Sequence, residues 1–362
     1  MNPTPDAIET VSQRLERFVA EQAHAVVDMG DDAASLVAEA AAATGGGKRL
    51  RARFCLTGWD AVREHAGAPQ TAEESVIAAA AALEIFQAAA LVHDDIIDNS
   101  DTRRGRPSAH RRLEAQHRDS DWAGDAARFG RSAAILLGDL LVAWSDDLFE
   151  EGLSEAAHAA DARRRYGRMR RDVTLGQYLD IAAEAGNADA DPAGQAERAL
   201  LVATLKSARY SVQQPLLIGA ELAGATPTQR QALSEFGLPI GLAFQLRDDI
   251  LGVFGDAAVT GKPSGDDLRE GKRTLLIAYA RDALAPGARR LLDELLGDPD
   301  LDAAQIAAVQ NTIVDTGALA RVEADIAAYT ERADRALRGA PLGTHTVGRL
   351  RDLARAATAR RA

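Results

Sequence analysis

Residues 83–104, LEIFQAAALVHDDIIDNSDTRR, set three aspartates, Asp94, Asp95 and Asp98, at the end of an apolar run, with Arg103 and Arg104 close behind. If the run is helical, Asp94 and Asp98 are i,i+4 neighbours on one face. Gln87, seven residues before Asp94, lies two turns away on nearly the same face. Like charges at this spacing repel and cost helix stability. A hard divalent cation removes that cost. Mg2+ draws on one or two carboxylates and fills its shell with water and substrate phosphate. Aspartates for a metal beside arginines for phosphate point to a diphosphate site. The helix extends back over 71–98, with Thr71 and Glu74 spaced as a capping box ahead of an alanine-rich body.

A second acidic cluster lies far downstream. Residues 244–272, FQLRDDILGVFGDAAVTGKPSGDDLREGK, repeat the logic with Asp248 and Asp249 and add Lys262 and Lys272. Upstream, GGGKRLR at 45–51 breaks a helix and puts Lys48 and Arg51 three apart at the opening of the next one, where free N–H groups and the dipole favour anions. This is not a Walker A loop, which has four residues between its glycines and Ser or Thr after the Lys.

Around these segments the chain reads as helix almost throughout. No Pro/Ser/Gly linker divides the 362 residues, so one large α domain over 1–362 is expected. Residues 6–43 form one or two amphipathic helices, with Ile8, Val11, Leu15, Phe18 and Val19 at helical spacing. Further helices fall at 131–150, 163–183 and 227–252, the last kinked or restarted at Pro239. Loops fall at 115–131, 186–194 and 255–271, the last long enough to act as a flap carrying Lys262. A net charge of −12 argues against nucleic acid as partner. A single cysteine, Cys55, allows no intrachain disulfide and fits a reducing cytosol. The N-terminus lacks the pattern of a signal peptide, and no uncharged apolar stretch reaches ~18 residues, so no transmembrane segment is expected and the location is read as cytoplasmic.

Taken together, the segments resemble the trans-isoprenyl diphosphate synthases, the polyprenyl synthetase family. The marks are DDxxD at Asp94–Asp98, FQxxDD at Phe244–Asp249, GGGKRLR at 45–51, KSARYS at 206–211 and GQYLD at 176–180. They occur in the family's order over roughly residues 40 to 280. The resemblance implies an all-α, isoprenoid-synthase-type helical bundle around a central apolar cavity. It implies a Mg2+-dependent head-to-tail 1'-4 condensation of isopentenyl diphosphate with an allylic diphosphate, two or three metal ions, and a homodimer. Its metal ligands would be Asp94, Asp95, Asp98, Asp248 and Asp249. Lys48, Arg51, Gln87 and Arg104 would hold isopentenyl diphosphate. Arg103, Lys206, Ser207, Phe244, Gln245, Lys262 and Lys272 complete the substrate contacts, with Lys206 on the leaving diphosphate and Gln245 among the catalytic groups. Gln177 and Asp180 would line the cavity near the reacting end.

Two departures stand out. Ala52 replaces a usual proline, without consequence for charge. Gly252 replaces a frequent third aspartate, so Asp248 is expected to ligate, Asp249 to support it, and Asp256 or Asp267 to take over part of the missing role. Product length should follow cavity depth. The family's floor positions are Ala89 and Ala90 here, both small, and the next bulky side chain on that face is Phe86, ~12 Å from Asp94 along the axis. Growth is expected to stop near C20, giving geranylgeranyl diphosphate. Farnesyl or longer products, a class I terpene cyclase and a regulatory synthase subunit are the alternatives.

Overall fold

Alanine and leucine, both strong helix formers, dominate the apolar residues. The computed structural model describes residues 5–68, 73–186, 192–255 and 264–358. Among these, the sole non-helical regular structure is a hairpin of two short strands, β1 (Thr102–Arg103) and β2 (Arg106–Pro107). The expected all-α class holds.

The N-terminal third is α1 (Pro5–Ala25), a short 3-10 turn (Val27–Met29), α2 (Asp31–Thr44), α3 (Leu50–His65) and α4 (Glu74–Ile97). Every residue from Val76 to Phe86 on α4 is buried. Its alanines let neighbouring helices approach from all sides, which makes it the axis of the largest apolar cluster. This helix is also long and apolar enough, by length and composition, to cross a membrane, although Glu84 interrupts its apolar run. Its most apolar window is 78% buried within the protein, as suits a core helix. Thr71 lies outside the described residues. The position before Glu74 is Glu73, which makes no side-chain cap, and the Glu74 carboxylate instead accepts from Arg14 Nε at 2.8 Å.

The stretch 115–131, expected as a loop, is largely helix. α5 (Ala109–Asp119) runs through its start and α6 (Ala126–Leu153) through its end. Glu114 pairs with both Arg111 and Arg118 along α5, and Asp125 caps α6 by accepting from Ala127 N and Arg128 N. Of the interleaved charges in that stretch, Arg118 is thus an i,i+4 partner of Glu114 and Asp125 a helix cap. α7 (Ala159–Glu184) lies antiparallel to α6, joined by Arg163–Glu150 and Arg170–Asp146 ion pairs.

α8 (Pro192–Val202) passes without a break into an eleven-residue π-helical segment, Ala203–Gln213, and then into α9 (Gln214–Leu222). α10 (Pro227–Phe254) opens with a capping box from Thr226 and Gln229 and continues through Pro239. A single turn at Asp266–Arg269 follows, then α11 (Leu275–Ala283), α12 (Pro286–Leu295), α13 (Ala303–Asp315), α14 (Ala318–Leu337) and α15 (Thr344–Thr358).

Glycines set how closely these helices pack. A Cβ on Gly58 would lie 2.0 Å from the Leu216 carbonyl oxygen, and one on Gly219 1.8 Å from that of Cys55, so α3 and α9 cross backbone to backbone. The π segment is clasped the same way. A Cβ on Gly176 of α7 would reach 2.5 Å from Lys206 N, and one on Gly241 of α10 2.5 Å from Ala208 O.

Candidate active site

Two helices bring carboxyl-bearing ends together beside a lysine from a third element. Asp94 and Asp98 stand at the C-terminal end of α4, Gln177 and Asp180 near the C-terminal end of α7, and Lys206 in the π segment between α8 and α9. Gln177 Nε2 donates to Asp94 Oδ1 at 2.9 Å. Lys206 Nζ donates to Asp180 Oδ2 at 2.6 Å and lies 3.7 Å from Asp94 Oδ1. Burial disfavours the Lys206 ammonium, but Asp94 and Asp180 outweigh it and hold it charged above its ordinary range. The two carboxylates expected to repel do so. Burial, and then Asp94, push the Asp98 carboxyl up to about 6.

The second acidic cluster closes on the first. Lys272 sits 3.7 Å from Asp98 and 3.6 Å from Asp267, and also pairs with Glu270. Asp249 is buried on α10 and accepts from Gln245 Nε2 at 2.7 Å. Burial, then Asp267, raise its carboxyl to about 8, and Asp180 of the first cluster adds to the rise. Asp248, one residue earlier, is exposed. Of the two neighbours, Asp248 is thus open to solvent and Asp249 is enclosed. Lys262 and Asp256 lie outside the described residues.

The gap left by Gly252 is filled from another element. A Cβ on Gly252 would meet Asp267 Oδ2 at 1.9 Å. The Asp267 carboxylate thus occupies the space that a side chain at 252 would enter. Of the two candidates, the described one stands where the third aspartate is absent.

Two expected contacts differ. Asp95 points away from the Asp94/Asp98 face, is buried, and is clasped by Arg103 through Nε at 2.8 Å and through its Nη2. On a helix, i and i+1 side chains do not share a face, so Asp95 cannot join its neighbours. Arg103 holds Asp95 through Nε and Nη2 and is itself a quarter exposed. Arg104, by contrast, turns to the glycine loop. Its backbone is left-handed (φ 53°), it donates to Gly45 O at 3.4 Å, and a Cβ on Gly47 would approach its Nη2 to 3.0 Å.

Beside it, Lys48 is exposed and precedes α3 rather than opening it, while Arg51 lies in the helix's first turn. Arg51 Nη2 donates to Ser211 at 2.7 Å, and its guanidinium lies 4.1 Å from the centre of the Tyr210 ring. The Tyr210 hydroxyl donates to Gln87 Oε1 at 2.6 Å. One tyrosine therefore orients two of the expected substrate-binding groups. Ser207 is half-buried on the π segment beside Lys206, and Phe244 is half-buried one residue before Gln245. Phe86 and Ala89 are buried and Ala90 is half-buried.

Sequence reasoning missed Glu184. It stands one turn beyond Asp180 on α7, and burial, then Asp180 and Asp98, push its carboxyl up to about 7. The i,i+4 spacing from Asp180 was the available signal. Among the described residues, no three acidic, imidazole or thiol side chains converge closely enough to hold a metal unaided. Lys206 and Lys272 stand between them instead. The donors are hard oxygens crowded to the point of raised pKa values, which suits a Mg2+ ion completed by water and phosphate.

Helices enclosing two opposed carboxylate clusters, with lysines between and arginines beside, define a class: a helical enzyme for diphosphate esters. The polyprenyl synthetase family model matches residues 35–313. A geranylgeranyl pyrophosphate synthase from Corynebacterium glutamicum, solved with isoprenyl diphosphate and magnesium, superposes with a TM-score of 0.90 at 41% identity, covering 98% of each chain. The geranylfarnesyl diphosphate synthase of Aeropyrum pernix is 34% identical over 80% of this chain and 82% of its own. The geranylgeranyl diphosphate synthase of Sulfolobus acidocaldarius is 30% identical over 70% of this chain and 69% of its own. The chain belongs to the polyprenyl synthetase family and is a prenyltransferase that makes prenyl diphosphates.

Proposed function

We propose that this enzyme condenses isopentenyl diphosphate with allylic diphosphates head to tail, in a Mg2+-dependent reaction, to geranylgeranyl diphosphate. The observation that carries the reading is the convergence of Asp94, Asp98, Asp180 and Asp267 on Lys206 and Lys272, above a helix face on which Ala90 and Ala89 are small and Phe86 is the next bulky side chain. Asp94, Asp98 and Asp248 would hold the metal, with Asp267 replacing the carboxylate absent at 252 and Asp249 supporting from behind. The metal, when bound, neutralises charge on the allylic diphosphate as its C–O bond breaks.

The chain's own groups do the rest. Lys206 is already charged and places its ammonium at the departing oxygen, where one unit-charge contact at 4 Å is worth ~4 kcal/mol at an effective dielectric of 20. Arg51, Arg104, Lys48 and Gln87 seat isopentenyl diphosphate so that its double bond faces the allylic C1. The electron pair of that double bond forms the new C–C bond, and a proton is lost to the departed diphosphate. The apolar wall below keeps water from the cation. Ile135 and Leu136 on α6 are exposed, and so are Leu175, Tyr178 and Ile181 at the matching level of antiparallel α7. A face of this kind supports a homodimer in solution. A single domain and a cytoplasmic location complete the reading.

The test is incubation of the purified chain with Mg2+, labelled isopentenyl diphosphate and dimethylallyl, geranyl or farnesyl diphosphate. A dominant C20 product is expected. Longer products would keep the chemistry and overturn the Phe86 floor. No condensation with any primer would overturn the reading itself.

A further inference from the structure

Phe86, the proposed floor, does not stand alone. Its ring stands edge-on to Tyr166, with centroids 6.4 Å apart, and to Tyr210, 5.7 Å away. Tyr166 in turn stacks on Phe149 of α6, centroids 4.0 Å apart and 12° from parallel. The Tyr166 hydroxyl lies 2.7 Å from that of Ser145, which donates to the Val142 carbonyl, so the tyrosine is the donor between them. The ring is held from its face and from its tip.

Depth follows from register. α4 and α7 both run with their C-terminal ends at the carboxylate cluster. Gln177 bonds Asp94, so these two residues mark one level. Counting down from it at the helical rise, Phe86 lies ~12 Å and Tyr166 ~16 Å below. Side chains on both helices lean toward their N-termini, away from the cluster. Phe86 and Tyr166 are therefore successive layers, offset by about the length that one extended isoprene unit adds. Tyr210 belongs to the upper wall, because its hydroxyl and ring hold Gln87 and Arg51.

We infer that Tyr166, stacked on Phe149 and tied to Ser145, is a second chain-length barrier beneath Phe86. This rests on the synthase reading with Phe86 as the first floor. Removing Phe86 then opens the cavity by one layer and no more.

The experiment compares product lengths of wild type, F86A, Y166A, F86A/Y166A, F86A/Y166L and F86A/Y166F, each full length, from farnesyl and labelled isopentenyl diphosphates. F86A is expected to add one isoprene unit. Y166A alone keeps the wild-type length, because Phe86 still stands above it. F86A/Y166A and F86A/Y166L add at least one further unit, whereas F86A/Y166F, which keeps the ring, matches F86A. Circular dichroism checks each fold, and F86A/Y166L, which retains more bulk, decides if F86A/Y166A unfolds. Equal lengths for F86A and F86A/Y166L would overturn the second barrier, as would wild-type length in F86A. Failure of the wild type to condense at all would instead overturn the synthase reading.

Discussion

Replacing Gly252 with aspartate should lower kcat/KM about a hundredfold, although it restores the commoner family pattern. The new Cβ would lie 1.9 Å from Asp267 Oδ2 and 2.3 Å from its Cγ, so the Asp267 side chain must leave its present position. If Asp267 moved only far enough to clear the overlap, two carboxylates ~4 Å apart would repel by ~4 kcal/mol at an effective dielectric of 20. Rotation of Asp267 toward solvent relieves part of this, and a residual ~2–3 kcal/mol on the transition state is about a hundredfold in rate. Lys272 would lose the Asp267 contact at 3.6 Å that links the two clusters. The assay is steady-state condensation with varied Mg2+. G252A should lose activity through displacement alone. The exchanged pair G252D/D267G should return to within about tenfold of wild type, since one carboxylate again fills one place. Wild-type kcat/KM in G252D, or an exchanged pair no better than G252D, would refute the idea that Asp267 stands in for the missing residue.

Other predictions follow from contacts described above. Asp94→Ala should abolish Mg2+-dependent turnover with the fold retained by circular dichroism, and wild-type activity in that variant would remove Asp94 from the metal site. Arg103→Ala leaves Asp95 buried without its cation and should destabilise the protein by ~3 kcal/mol in urea unfolding, the low end for a broken buried pair because Arg103 is a quarter exposed. Gly176→Ala drives a methyl group into the Lys206 backbone and should cost ~2 kcal/mol or more, read as a lower Tm with reduced activity.

Stability of the metal-free protein should fall as pH rises from about 6.5 to 8. Glu184 and Asp249, held up to about 7 and about 8, bind protons in the native state that the unfolded chain has already released. His110, buried and held below its ordinary value of 6.5, acts in the opposite direction, but only at lower pH. Thermal melts across this range, with and without Mg2+ and diphosphate, check the slope, which ligand should flatten.

The long-period features were legible in the sequence. α4 and α10 appeared with nearly their observed bounds because apolar spacing over more than twenty residues leaves little room for another reading. The cluster at Asp94/Asp98 appeared because like charges at helical spacing demand an explanation, and Asp248/Asp249 because an acidic pair recurs beside lysines downstream. What stayed hidden depends on partners distant in sequence. Asp95 and Arg103 neutralise each other, eight residues apart, through a two-residue hairpin that periodicity cannot reveal. Asp267 fills the space beside Gly252 only because a single turn brings it back against α10. The end of α5 falls within the stretch expected as loop because its charges look solvated until Arg118 is seen pairing with Glu114 one turn earlier.

The π-helical segment Ala203–Gln213 has a consequence for how this enzyme tolerates change. A widened helix carries surplus residues compared with an α-helix of the same span, with bonds from i to i+5. Lys206, Ser207, Tyr210 and Ser211 owe their bearing to that surplus. Deleting any one residue between Ser207 and Gln213 would let the segment tighten, but would swing everything before it by ~100° about the axis relative to α9. Lys206 would then face a different neighbour with every side chain still present. Alignment here is encoded in the residue count as well as in residue identity. Insertions and deletions in this span should therefore be far less tolerated than substitutions at its outward-facing positions.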